Sequence, residues 1–417
     1  MDSIQRHAGY WWVPNHQNKM ITGTLYIEED GNAYLETIGL LDEDFIHKTY
    51  YDVIWGMTSN AKPVSLFRCG LSVSRNTACF FSTGKYSASV VAVGKHISSL
   101  NETDNYNVCV DIEELNYWHR PSLIHLDNQF DHVDFDDEQS IDVSISDTTK
   151  LKIRSIVERT SSGGTFSALQ KNLLIFEHAF PISIYDIKKE VFAFEQFLSF
   201  ATLTHVQYKK LTLVDKNIPE GQPFPDEIDI YEKKDIVTPS SKFFRYLFTY
   251  DIIQDNFPSI IKKWYSDKEL MPIRNFLIDS VCGKDCYTST RFLMIMQALN
   301  GYFCRYRGVD IATRKWLAQL KREFGSLSKM DCLTPEELDE VGYTRDIYSH
   351  FLKEDSKPSI ADDYSMRRYI FALRKYLICC ILSSLGLDNN QIGRLLQSSG
   401  NYLLDPVDRI YPQRTKE

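Results

Sequence analysis

Residues 23–41 read GTLYIEEDGNAYLETIGLL. Apolar and polar residues alternate on both sides of Asp30-Gly31, a dipeptide that turns hairpins because glycine accepts positive φ at low cost. Working outward, the runs YYDVIWGMT, VSLFRCGLSVS, TACFFST and YSASVVAVG follow, each bounded by Gly, Ser, Asn or Pro. Strand signals at roughly ten-residue spacing, from Gly9 to about Asp111, predict an antiparallel sandwich or barrel-like unit. Trp11 and Trp12 are expected to pack in its core rather than to bind a ligand.

Past this region the pattern changes twice. DHVDFDDEQSIDVSISD is an acidic segment ending in strand-like alternation, ERTSSGGTFSALQKN reads as a loop or hairpin tip, and NLLIFEHAFPISI as a strand. From Ser183 to Leu203 the apolar residues Ile187, Val191, Phe194, Phe197 and Leu198 keep helical spacing. KNIPEGQPFPDEIDIYEKKDIVTPSS, rich in Pro, Gly and charge, reads as a surface loop or interdomain connection. After Lys242 the signals are helical, with a break expected at Pro258. Asp310 stands as an N-cap for one helix with Gly325 past its end, and Thr334-Pro335 with Glu337 forms a capping-box signature for another. The expected class is α+β: a β-rich N-terminal domain at 1–150, a mixed middle region at 151–284, a helical bundle at 285–400 and a tail at 401–417.

Composition narrows the function. The chain has 417 residues, 43% of them hydrophobic and 25% charged, so it can bury a large core. Net charge is −9, unevenly spread: residues 241–417 hold 26 Lys and Arg against 22 Asp and Glu. A polyanion would therefore go to the back of the chain. Nine cysteines include C-x3-C at Cys282 and Cys286 with Cys304 further on, but no second pair completes a zinc site. Reduced thiols, an opening segment without the pattern of a signal peptide, and no apolar run of membrane-span length point to a cytoplasmic protein. No metal and no cofactor are expected. P-loop, G-x-G-x-x-G and H-E-x-x-H patterns are missing from the sequence.

The chemistry concentrates in VGYTRDIYSHF, residues 341–351. Arg345 and His350 stand five apart, and Asp346 shares a helical face with His350 at i,i+4. Spacing alone is weak, since Arg120 and His125 repeat it beside Pro121, outside any helical pattern. Imidazole, with a free pKa of about 6.5, can move a proton near neutral pH. Arginine offers a permanently charged fork to a phosphate that gains charge in a transition state. Such a set suits metal-independent RNA cleavage; the bland alternative is a solvated face.

TRDIYSHF, on a helix followed by another rich in Arg and Tyr, resembles the R-x4–6-H motif of HEPN-domain ribonucleases. Within them it is most similar to the ApeA-like group. The N-terminal half agrees: GYWWVPNHQNKMITGTLYIEEDGNAYLETIGLL, followed in order by VIWGMTSNAKPVSLFRCGL and SVVAVGKHI, resembles the ApeA N-terminal domain. The resemblance implies an all-α HEPN bundle and a homodimer joined through it, with two Arg–His motifs meeting across a two-fold axis. It implies anti-phage defence of the abortive-infection type, through cleavage of tRNA or other cellular RNA. Carried over by position, Arg345 and His350 are the catalytic pair and Asp346 the supporting residue. Asn300 stands where relatives place an acidic residue. Candidate RNA contacts are Tyr343, Tyr348, Arg367, Arg368, Arg374 and Lys375. A phage-derived trigger is expected to bind the N-terminal region. The alternatives are a non-catalytic HEPN module that binds nucleic acid or protein, and a phage-sensing receptor whose N-terminal domain does the main work.

Overall fold

The hairpin quoted above forms as its alternation requires. Strand β2 (Ile21–Ile27) pairs with β3 (Ala33–Ile38) across a turn at Asp30-Gly31, with Gly31 at φ 81°. Leu25, Ile27, Ala33 and Leu35 face inward and are buried, while Thr24, Tyr26, Tyr34 and Glu36 face out. The protein is described by a computed structural model over residues 4–41, 49–77, 81–126, 133–216, 226–234, 246–282, 287–327, 330 and 333–399. The chain divides into two compact units. One is drawn from Met1–Glu113, Pro121–Phe192 and Tyr208–Thr238; the other from Glu114–Arg120, Ala193–Gln207 and Pro239–Glu417.

In the first unit, β1 (Gln5–Trp12), β2, β3, β4 (Tyr50–Thr58), β5 (Pro63–Thr77) and β6 (Phe81–Val93) close on themselves. Antiparallel ladders run β6–β3–β2–β1–β4–β5 and return from β5 to β6, a six-stranded barrel with no free edge. Trp11 fills its centre at 0% exposure, among Leu25, Leu35, Ile54, Leu66 and Val91. Each such fully buried large side chain stabilises the fold by roughly 1.5–3 kcal/mol relative to exposure. Gly56 makes the room: a Cβ there would stand 2.3 Å from two carbons of the Trp11 ring.

Six further strands extend the same sheet. They are β7 (Tyr106–Asp111), β8 (Gln139–Ser144), β9 (Thr149–Ser162), β10 (Thr165–His178), β11 (Lys210–Asp215) and β12 (Glu227–Glu232), in the order β8-β9-β10-β7-β11-β12-β6. The barrel half of the sandwich-or-barrel expectation is therefore what the strands form. Gly163-Gly164, at φ 57° and 83°, is the two-residue tip of the long β9–β10 hairpin. One expectation is corrected. EIDIYE, taken for loop or linker, is β12, because Ile228 and Ile230 alternate into the core at 0% and 3% exposure. Helix α1 (Ile184–Thr202) forms where the period changes.

Every helix from residue 246 onward belongs to the second unit. Among the described residues, seven longer ones follow: α2 (Phe257–Ser266), α3 (Leu270–Cys282), α4 (Thr288–Gly301), α5 (Thr313–Phe324), α6 (Pro335–His350), α7 (Asp363–Ser384) and α8 (Asn389–Ser398). Pro258 starts α2 instead of breaking a helix, because in the first turn its missing N–H costs nothing. Helix α7 is the central element, buried nearly all round, and packs against α3, α4, α5 and α8. Helix α6 packs against α4 and α5.

Candidate functional site

Helix α6 begins with the expected capping box. The Thr334 hydroxyl accepts from the Glu337 backbone N–H at 3.2 Å, and the Glu337 carboxylate accepts from the Thr334 N–H at 2.7 Å. Leu338, Val341, Thr344 and Ile347 are buried, which turns Asp339, Tyr343, Asp346 and His350 onto the other side. The helix stops at Phe351, a left-handed residue (φ 51°) that is 93% exposed.

On that polar side Arg345 and His350 meet. Arg345 Nη1 lies 3.5 Å from Nε2 of His350. The helical offset between the two positions is bridged by the length of the arginine side chain. The same Nη1 donates to Asp346 Oδ1 at 3.1 Å, and Lys357 Nζ donates to Asp346 Oδ2 at 3.0 Å. Burial alone would raise the Asp346 pKa. The hydrogen bonds from Lys357 and then Arg345 outweigh it and hold the carboxyl below its ordinary value. Asp346 thus bonds Arg345, while His350, with which it shares a helical face, meets the same guanidinium. His350 is exposed, and Arg345 is half-buried.

The other candidates are placed as follows. Tyr343 is half-buried, with the Arg314 guanidinium carbon 4.2 Å and Lys357 Nζ 5.7 Å from its ring centre. The stem of Arg314 passes over Gly342, and Arg314 Nε pairs with Asp339 at 3.2 Å. Tyr348 is half-buried on the same helix. Arg367 pairs with Asp363 at 2.9 Å, and Arg368 with Glu337. Arg374 and Lys375 are interior, at 3% and 1% exposure, and Arg374 Nη2 donates to the Ser280 carbonyl at 3.1 Å. They correct the expectation of a phosphate-lining face, because α7 is enclosed where they stand. Asn300 accepts from the Cys304 thiol at 3.7 Å, just before a π-helical turn at Tyr302–Tyr306. Arg120 and His125 make no pair: Arg120 Nε donates to the Tyr117 carbonyl and His125 faces Asp136, each at 2.8 Å.

Sequence reasoning missed Lys357 and Arg314. Lys357 reaches the site because the Ala361 N–H donates to Thr344 Oγ1 at 2.9 Å, fastening the 351–361 segment to α6. Nothing periodic in the sequence marks that tie. Burial pushes the Cys282 and Cys379 thiols up to about 12, so neither is a thiolate near neutral pH. Cys286 lies outside the described residues. Among the described residues, no group of three His, Cys, Asp or Glu is placed to hold a metal, and no helix is long and apolar enough to cross a membrane.

The barrel carries a second feature. A trough of about 1160 Å³ crosses the outer face of β1–β3 and β6. Its floor is backbone: Gly9 faces Gly23, Gly23 faces Thr37, and Thr37 faces Gly84 across successive ladders. Tyr10, Ile38 and Met57 stand to one side and Tyr26 to the other, while Glu36 and Lys85 pair at 3.2 Å within it.

The comparison with protein families decides the kinship of this barrel: the family model described as ApeA N-terminal domain 1 matches residues 6–264. The chain belongs to that family. The matched span takes in the barrel, the extended sheet, helix α1 and most of α2, and membership points to anti-phage defence. It ends before α6, so the Arg345–His350 pair lies outside it. Comparisons with curated proteins and with solved structures returned no match.

Proposed function

We propose that this ApeA-family chain is an anti-phage endoribonuclease of the HEPN type, acting without a metal through Arg345 and His350. The observation that carries the reading is the meeting of Arg345 Nη1 and His350 Nε2 at 3.5 Å on the last turn of α6, with the imidazole exposed. In the reaction, a ribose 2′-hydroxyl gives its proton to a basic imidazole nitrogen of His350, and its oxygen bonds to the adjacent phosphorus. The P–O5′ bond breaks, and the leaving 5′-oxygen takes a proton from an imidazolium. The products are a 2′,3′-cyclic phosphate and a 5′-hydroxyl. Arg345 stabilises the charge gathered on the phosphoryl oxygens, and proton transfer by a positioned imidazole contributes about 10²–10⁴-fold. A second copy of the chain, joined through its helical unit, brings a second Arg–His pair to the same RNA. Transfer RNA is the favoured substrate.

The test is cleavage of total tRNA by the purified chain in EDTA. Wild type should leave 5′-hydroxyl ends, and His350→Ala and Arg345→Ala should each abolish cleavage while remaining folded. Cleavage that persists in both variants, or that EDTA stops, refutes the mechanism.

The barrel trough favours a second, compatible reading, in which the N-terminal region is the receptor for a phage-derived trigger. Tyr10, 56% exposed on the trough's flank, should then matter in cells. Tyr10→Ala should lose protection against phage yet keep tRNA cleavage in vitro. Unchanged protection would count against this role for the trough.

A further inference from the structure

An aspartate directly after the catalytic arginine is a difficulty for phosphate chemistry. A free carboxylate beside a guanidinium tends to form a two-pronged ion pair, which takes up the donors a phosphate needs. It also repels the substrate. In this protein the two oxygens of Asp346 are divided: Oδ1 accepts from Arg345 at 3.1 Å and Oδ2 from Lys357 at 3.0 Å. Arg345 therefore commits one nitrogen to Asp346 and His350 together. Among the described residues its Nε and Nη2 make no hydrogen bond and stay available to a ligand.

Lys357 is held for this arrangement. Its segment is tied to α6 at two points, by the Ala361 N–H on Thr344 Oγ1 at 2.9 Å and by Ser359 Oγ on Glu340 at 2.6 Å. With Lys357 the trio Arg345, Asp346 and Lys357 carries one net positive charge; without it the net is zero. The ammonium and carboxylate are both partly shielded, with side-chain exposures of 24% and 32%, so solvent screens the pair only in part.

We infer that Lys357 is a positioning residue of the Arg345–His350 site, which holds Asp346 off Arg345 so that the free guanidinium donors face a phosphate group. This rests on the ribonuclease reading of the same pair. If Lys357 acts through Asp346, removing the carboxylate charge must make Lys357 dispensable. If it touches phosphate itself, or serves only the fold, it must not.

The experiment is a double-mutant cycle on full-length protein. It reads cleavage of total tRNA in EDTA and, with His350→Ala added to each variant to stop cleavage, affinity for the same tRNA. Lys357→Ala should lower cleavage and affinity about ten-fold, and Lys357→Arg should retain both. In the Asp346→Asn background, Lys357→Ala should change either readout by less than about three-fold. An undiminished ten-fold loss in that background overturns the inference, as does an active Lys357→Ala single variant. If the wild type does not cleave tRNA and the His350→Ala form does not bind it, the ribonuclease reading falls and takes the inference with it. A cleaving wild type with no Lys357–Asp346 coupling removes the inference alone.

Discussion

Gly56→Ala is the sharpest test of the barrel. The new methyl group would be placed 2.3 Å from Cε3 and Cζ3 of Trp11, and 2.9 Å from Cδ2, inside normal contact. Trp11 has 0% exposure and pairs with Gly56 across the β1–β4 ladder, so neither ring nor strand can move aside freely. Overpacking of this kind costs about 1–3 kcal/mol, and two short contacts on a closed barrel put it at the upper end. Replacing glycine within a strand returns about 0.5–1 kcal/mol of backbone entropy, leaving a net loss of about 2 kcal/mol. The assay is peptide-resolved hydrogen exchange, since a chain with two units need not unfold in one step. Exchange across β1, β4 and β5 should quicken about thirty-fold. Trp11→Phe removes ring volume together with an indole N–H that has no acceptor among the described residues. In that background the penalty should shrink by about 1–2 kcal/mol. The reasoning is refuted if Gly56→Ala leaves these segments unchanged, or costs the same with Phe at position 11.

Two further outcomes follow from the second unit. Arg345→Lys should cut RNA cleavage by about 10²–10³-fold, because an ammonium cannot replace the fork. The thermal midpoint should hardly move, since partly exposed ion pairs contribute at most about 1 kcal/mol. His119 is buried at 8% exposure against Tyr250, and burial drives its pKa down to about 4, opposed weakly by Asp251. Its folded pKa lies below the unfolded value, so its contribution is complete above about pH 6.5 and lost as pH falls toward 4. The loss is on the order of 2 kcal/mol after solvent screening. Acid unfolding of His119→Phe, followed by circular dichroism, should show a flatter dependence in that window; an identical slope would contradict it.

The sequence disclosed those parts of the structure that local periodicity controls. The Asp30-Gly31 hairpin, the change to helix at Ser183 and the capping box at Thr334 each have their cause within a few residues. Strand β12 escaped because Pro, Gly and charge around EIDIYE mask an alternation that matters only once β6 and β11 flank it. Arg374 and Lys375 misled for a related reason. Their charges read as a surface, but α7 is enclosed by four other helices. At the site, Arg345 and His350 were read as a pair from the resemblance carried by TRDIYSHF, because the bare spacing recurs at Arg120 and His125, which do not meet. The Lys357 contact was not legible, because it depends on a hydrogen bond between Ala361 and Thr344, seventeen residues apart.

The central claim is that Arg345 and His350 cut RNA, and sequencing of cellular RNA ends tests it most directly. RNA taken after induction of wild type and of His350→Ala would be ligated through its 5′-hydroxyl ends and sequenced. The account predicts new 5′-hydroxyl ends, concentrated at a few sites in tRNA, in wild type and missing in the variant. Identical ends in both would contradict it.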